Sequence, residues 1–269
     1  MRSQKLFFVA TLAACALAAC LVGCSKDSTP TTPPVSDNGY NAVQSEFTNF
    51  ADSLVAQLGV HLDAYTTALA GNIEVAYSPI NPDSTILTNG GWHVVYASDI
   101  LAGYDLYLVD SIRFISHGNV QDNAMGADQM HVIRRWGIQN PDTTGNYRNI
   151  DVASSFIFSG LNTDTAAVWG GRQSTIHTKQ VSTAATVKRT YDIQTVATNV
   201  MIPKANNGWT KGCPQSGTIG GTVVQTVDDG NVPLTTSWNF DVTVTAGVMD
   251  GTVTAGSWTK SFTAPLCQM

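Results

Sequence analysis

Charge is scarce in this chain of 269 residues: Asp, Glu, Lys and Arg together make up 13%, about half of the usual ~25% share. Glutamate is nearly absent, with Glu46 and Glu74 the only two, so almost every acid is an aspartate. The 14 basic residues face 20 acidic ones, for a formal net charge of −6, and the basic pairs Arg134-Arg135 and Lys188-Arg189 stand alone. Such a balance argues against a nucleic acid partner, which requires a basic patch or stripe. Catalytic signatures are missing as well. There is no G-x-S-x-G elbow, no H-E-x-x-H, no phosphate loop and no G-x-G-x-x-G, so no cofactor and no catalytic residue is expected. A second long helical pattern is also lacking, which excludes a parallel βαβ architecture.

What is present begins at the amino terminus. Arg2 and Lys5 precede an almost unbroken apolar run from Leu6 to Ala19, followed by Leu21-Val22-Gly23-Cys24. A positive end, an apolar run too short to span a membrane comfortably and then small residues describe a secretory signal. The tetrapeptide resembles the lipobox of bacterial lipoproteins. That resemblance implies cleavage before Cys24, a diacylglyceryl group on its thiol and a usually acylated new amino terminus. More than one acyl chain suffices for stable membrane anchoring. Ser25 stands where enteric bacteria place an aspartate to retain a lipoprotein in the inner membrane, so the resemblance implies the outer membrane, facing the periplasm or the cell surface.

Residues 25–38, SKDSTPTTPPVSDN, hold three prolines and no large apolar side chain. They cannot bury enough surface to offset the entropy of ordering and read as a tether behind the lipidated cysteine. The expected organisation is a signal over 1–23, lipidated Cys24 and tether over 24–38, and one domain over 39–269.

That domain is expected to open with a helix over Tyr40–Ala70. Val43, Phe47, Phe50, Leu54, Leu58, Leu62, Tyr65 and Leu69 recur at steps of three or four. Asn41 and Gln44 form a candidate capping pair, Gly71-Asn72 a stop, and Gly59 a place for a kink or break. After Asn72 the period falls to two. Tyr104, Leu106, Leu108, Ile112 and Phe114 share one face; Met130, Val132, Trp136 and Ile138 share another, as do Ile150, Val152, Phe156 and Phe158. Tyr191 and Ile193 oppose a polar face, and the apolar parity shifts after Gln194 to Val196, Val200 and Ile202, which predicts a bulge there. The fold class is therefore mainly β with one long N-terminal helix (α+β): an antiparallel meander sheet, curved or barrel-like, packed on the helix.

Near the carboxyl end, Val244-Thr245-Ala246-Gly247 recurs as Val253-Thr254-Ala255-Gly256. Reading both Ala-Gly pairs as tight turns predicts strands near 218–227, 236–245, 248–254 and 257–263. Cys15 and Cys20 leave with the signal and Cys24 carries lipid, so Cys213 and Cys267 remain. An even pair in an exported chain is normally a disulfide; free thiols or a metal site are the alternatives. Four meander strands bring the two cysteines to the same end. Closing a loop of about 55 residues would stabilise the fold by roughly 4 kcal/mol.

Chemistry-bearing residues are few. His117, Asp122, Asp128 and His131 are the densest donor cluster, but their spacing matches no standard metal site and no metal is expected. His61 and Asp63 lie two residues apart on a helix and point to different faces. Trp92, Trp136, Trp238 and Trp258 share parity with aliphatic neighbours and read as core. Trp169 and Trp209, flanked by glycine and polar residues, are the candidates for exposed contacts.

Lipobox, tether, long helix and Thr-rich meander, with Cys213-Pro214-Gln215-Ser216-Gly217 and a near-terminal cysteine, look like uncharacterised bacterial lipoproteins. A weaker likeness, of fold only, is to lipoprotein-carrier folds in which a curved antiparallel sheet wraps helices around an apolar cavity. The expectation is a non-enzymatic envelope lipoprotein, a structural or binding module held to the membrane through Cys24. The alternative is a carrier or chaperone for an apolar, lipid-like ligand between sheet and helix. A carrier has an unfilled apolar cavity; a structural module has the helix stripe packed to interior density.

Overall fold

The computed structural model describes residues 37–69, 84–101, 103–183, 185–204, 209 and 214–266. Cys24, residues 25–36 of the expected tether, Cys213 and Cys267 lie outside the described residues, as does the side chain of Phe50, whereas Asp37 and Asn38, expected in the tether, are helical. Pro34–Met269 forms one compact unit.

Helix α1 runs over Asp37–Leu69. It begins four residues before Asn41, so Asn41 and Gln44 are interior rather than capping, and it passes unbroken through Gly59. Val43, Phe47, Leu54, Leu58 and Leu62 are fully buried, whereas Leu69, the last helical residue, is exposed. Among the described residues twelve strands follow: β1 Ser84–Leu87, β2 His93–Leu101, β3 Tyr104–Ser116, β4 Asn119–Gln121, β5 Gln129–Gln139, β6 Tyr147–Ser159, β7 Thr165–Val181, β8 Thr186–Pro203, β9 Ser216–Asp228, β10 Leu234–Thr245, β11 Val248–Ala255 and β12 Trp258–Pro265. All pair antiparallel in sequence order, with β4 a short flap on β3. β1 and β12 form the two ends of this order. The sheet is therefore open, and the barrel-like form is not adopted.

Local sequence explains the hairpins. Ala246 and Gly247 both take positive φ, 49° and 79°, between the paired residues Thr245 and Val248. That is the type I′ turn whose twist suits a two-residue hairpin. Gly256, with φ 60°, opens the second turn between Ala255 and Trp258. The four predicted C-terminal strands form a meander, each within a few residues of its expected bounds.

The predicted bulge lies further along than the parity suggested. Ile193, Thr195 and Ala197 stay on the buried face, and Val196 is 56% exposed. The register shifts at Thr198–Val200 instead, where β8 carries one residue more than either neighbour and Asn199 takes φ 49°. Gly170 and Gly217 flank it on β7 and β9. A Cβ on Gly170 would meet the Ser155 carbonyl at 2.1 Å, and one on Gly217 the Val200 Cα at 2.6 Å. Only glycine fits beside the bulge, and Val196 alone could not reveal it.

One face of the sheet is the core face. Its fully buried residues include Ile112, Phe114, Met130, Phe158, Val168, Ile193, Val223, Val242 and Val253, which form one cluster with the α1 stripe. Ring contacts trace the helix across this face: Tyr40 meets Trp258 of β12 at 5.0 Å, Phe47 stacks on Phe240 of β10 at 3.8 Å, His61 meets Phe158 of β6 at 6.0 Å and Tyr65 meets Phe114 of β3 at 6.2 Å. From Tyr40 to Tyr65 the helix advances about 38 Å at ~1.5 Å per residue. Eight strand spacings of about 4.8 Å also come to about 38 Å. The helix thus crosses the strands rather than lying along them, and each turn of α1 meets a new strand.

Candidate functional site

Two polar constellations stand out, on opposite faces of the sheet. The first is buried beneath α1. Register aligns Val95, Asp110, Arg134, Ser154, Arg172, Thr195, Gly221, Phe240 and Val253 in one row across β2 to β11. From β3 to β8 every member of this row is polar and buried. Arg134 grips Asp110 through two nitrogens, its Nε donating to Oδ1 at 2.6 Å. The helix answers with polar residues of its own. Arg172 Nη1 donates to Ser53 Oγ at 3.0 Å, and Gln57 Nε2 donates to Ser154 Oγ at 3.2 Å. His61 Nε2 lies 3.4 Å from the Gln57 amide, and its Nδ1 has no hydrogen-bond partner among the described residues.

Burial sets the electrostatics here. It pushes the His61 imidazole well below its ordinary value, and the Arg134 charge adds to that effect. It raises the Asp110 carboxyl against the opposing hydrogen bonds and charge of Arg134. Burial, followed by the charge of Arg134, lowers Arg172 to about 10. His61 is thus a neutral histidine held beside a guanidinium. The row can dock and register the helix, since every group in it faces protein. It offers no nucleophile and base arranged around a space that a substrate could enter.

The second constellation is on the outer face, over β3 to β8. Tyr107 lies across Gly137, where a Cβ would come within 2.3 Å of its ring, and its hydroxyl donates to Asp151. Desolvation, the Asp151 hydrogen bond and the Asp151 charge push this phenol up to about 12. Beside the pair, Arg135, Ala153, Gln173 and Gln194 form a lateral row, and Ile133, Ser155, Gly171 and Val196 form the next. Two concavities meet at Arg135, Ala153 and Gln173: one of about 430 Å³ over β5 to β8 and one of about 250 Å³ bordered by Tyr107 and Asp151. The small Ala153 lines both, and Gly171 lines the larger.

The other expected site residues fall as follows. Trp169 is 37% exposed and lies on the outer face, two residues before Gly171. Trp209, expected to be exposed, is buried at 1%. Its backbone N–H donates to Asp63 Oδ1 at 2.6 Å, and Lys204 lies over its ring at 5.6 Å. A polar, glycine-bearing neighbourhood in sequence gave no sign of that anchor on α1. Trp92 also departs from expectation: His93, Val95 and Ala97 take the buried face, and Trp92 is half-buried under the Arg113 guanidinium at 4.6 Å.

His117 donates its backbone N–H to Asp128 at 3.3 Å, while His131 faces Arg113 at 3.3 Å. Among the described residues no three His, Cys, Asp or Glu side chains converge to hold a metal ion, and no helix is long and apolar enough to cross a membrane. The polar row and the groove both escaped sequence reasoning. Arg134-Arg135 was the one available signal, since neighbours on a strand point to opposite faces and the two arginines serve the two constellations. No family model, no curated protein and no solved structure matches this chain.

Proposed function

We propose that the protein is a non-enzymatic binding module of the bacterial envelope, anchored by lipid on Cys24 and held off the membrane by a tether that ends where α1 begins at Asp37, with the sheet bent around α1. The observation that carries this reading is the division of labour between the two faces. The core face is filled by Phe47, Leu54, Leu58 and Leu62, each at 0% exposure, whereas the 430 Å³ groove is open on the outer face. Binding therefore falls to the outer face, and the helix is structural.

The carrier reading has one observation in its favour. A hollow of about 240 Å³ at the core-face end of β3 and β5 is lined by Leu106, Leu108, Trp136 and Ile138. It is smaller than the ~300–1,000 Å³ of ligand pockets and too small to enclose a lipid.

Metabolic labelling with an acyl-chain probe, combined with fractionation, tests the anchor. Label is expected on the wild type in the membrane fraction and absent from Cys24→Ser, because serine offers no thiol. Label that persists in Cys24→Ser, or wild-type protein free in the periplasm, overturns the anchor. Mass spectrometry of lipids extracted from the purified chain tests the module against the carrier; a stoichiometric lipid would favour the carrier.

A further inference from the structure

We propose that the outer-face groove binds an acidic, hydroxyl-rich glycan, with Arg135 receiving a sugar carboxylate. This deepens the binding-module reading and rests on it. Four observations point to that ligand class. First, the groove lies in mid-sheet, where the backbone groups of β5 to β8 are engaged in strand pairing. A peptide added as a strand requires a free edge, so recognition here belongs to side chains. Second, the side chains offered are amides and hydroxyls. Gln173 and Gln194 are exposed, and each can both donate and accept. Sugar hydroxyls, which donate and accept from one atom, are met by that pairing.

Third, Arg135 is exposed and forms no hydrogen bond or ion pair with another described residue. The nearby Asp151 accepts from Tyr107, which leaves the guanidinium fork available. Arginine matches a carboxylate bidentately, with geometry as well as charge. Fourth, the flanks differ in character. Tyr107 and Thr175 line one side, and Ile133 and Val196, 40% and 56% exposed, line the other. A pyranose ring is amphipathic in the same sense, with C–H faces and hydroxyl edges. Trp169 stands beside Gly171 as a further surface for such a face. From β3 to β8 the groove crosses about four strand spacings, roughly 19 Å, which suits an extended chain of rings rather than a single sugar.

The test uses the full chain in detergent and isothermal titration with three probes: an oligogalacturonate, a neutral maltooligosaccharide of equal length and an oligoglutamate peptide. The oligogalacturonate is expected to bind at least tenfold more tightly than either other probe. Arg135→Gln should remove that advantage, and Ala153→Trp, which fills the floor, should abolish binding with the thermal midpoint unchanged. Ala153 is exposed, so the fold should tolerate it; should its midpoint fall, Gln173→Ala, expected to weaken binding severalfold, replaces it. A flat oligogalacturonate isotherm, unchanged affinity in Arg135→Gln or equal binding of oligoglutamate overturns the proposal. Each of these leaves the anchor untouched, because acyl labelling of Cys24 is read separately.

Discussion

The two halves of α1 rest on different ground. Its N-terminal half sits where the central row of the sheet is apolar: Phe47 stacks on Phe240 and touches Gly221. Its C-terminal half sits where the same row is polar, with Ser53, Gln57 and His61 facing Arg172, Ser154 and Arg134. Burial of apolar surface is non-directional and scales with area, so the first half supplies stability but tolerates sliding. Buried polar groups must meet particular partners or lose heavily. The second half therefore fixes which turn of the helix meets which strand. A helix crossing nine strands of similar composition needs such a device, because a shift by one turn would still bury apolar residues.

The comparison breaks first at its apolar end. Phe47→Ala should cost about 3–5 kcal/mol, the range for emptying a buried phenylalanine site. Gly221 bears no side chain to fill the gap: a Cβ there would meet the Gln194 carbonyl at 2.6 Å. Denaturant unfolding with an unchanged slope would show that the loss is one of stability alone.

At the polar end the sign of the effect should depend on whether one partner or both are removed. Arg134→Met leaves Asp110 charged and buried, and should cost about 3–5 kcal/mol. Replacing both, with Asp110→Leu and Arg134→Met, should recover most of that loss or exceed the wild type. A register role for the row predicts that hydrogen exchange of the Gln57–Tyr65 amides accelerates in the double variant even where global stability is regained. Exchange equal to the wild type would reduce the row to packing.

Acid sharpens the same contrast. His61 is neutral in the fold because burial and Arg134 lower its pKa, whereas the unfolded imidazole titrates near ~6.5. Below that value the unfolded state binds the proton and the folded state does not, so stability falls as pH drops from about 6.5. The slope has a ceiling of about 1.4 kcal/mol per pH unit for one such group. Asp110, raised by burial, acts in the opposite sense. His93 and His131, also lowered by burial, add to this slope in the same sense, so His61→Leu should flatten it between pH 5 and 6.5 without removing it, while Phe47→Leu should leave it in place. A slope unchanged in His61→Leu would assign it elsewhere.

The smallest effect is expected at the rim. Arg148 meets Glu46 at 3.0 Å, with the arginine side chain 48% exposed. Such a pair contributes at most about 1 kcal/mol, so Glu46→Gln should barely move the unfolding midpoint, and salt should reduce even that. A loss above 2 kcal/mol would make the helix edge part of the registering device.

Much of the fold was legible and most of the candidate site was not. The 3.6-residue stripe from Val43 to Tyr65 and the later two-residue alternation name the helix and its strands, because both report only on which side of an element is apolar. The Ala246-Gly247 hairpin was readable for a related reason, since its backbone demands are local; the second turn falls one residue later than the Ala255-Gly256 pair suggests, at Gly256-Ser257, because Ala255 pairs with Trp258. The shift at Asn199 was misplaced because glycines on two other strands, Gly170 and Gly217, make room for it. Trp209 was misjudged because its partner, Asp63, lies 146 residues away. Arg134 and Arg135 are consecutive and chemically identical, yet one is buried against Asp110 and the other stands over the groove. The parity of Met130, Val132, Trp136 and Ile138 places Arg134 on the apolar face, but its partner, Asp110, lies 24 residues away.

The sequence by itself determined the class of structure: a helix followed by antiparallel strands, with few charges to spare for the surface. Periodicity and turn chemistry are properties of residues close together in the chain, and they survive without knowledge of partners. Tertiary structure alone decided that the sheet stays open, that α1 crosses it strand by strand, and that five polar residues from five strands share one buried row. Those outcomes depend on register between distant strands, where a slip of one residue exchanges the faces of every side chain.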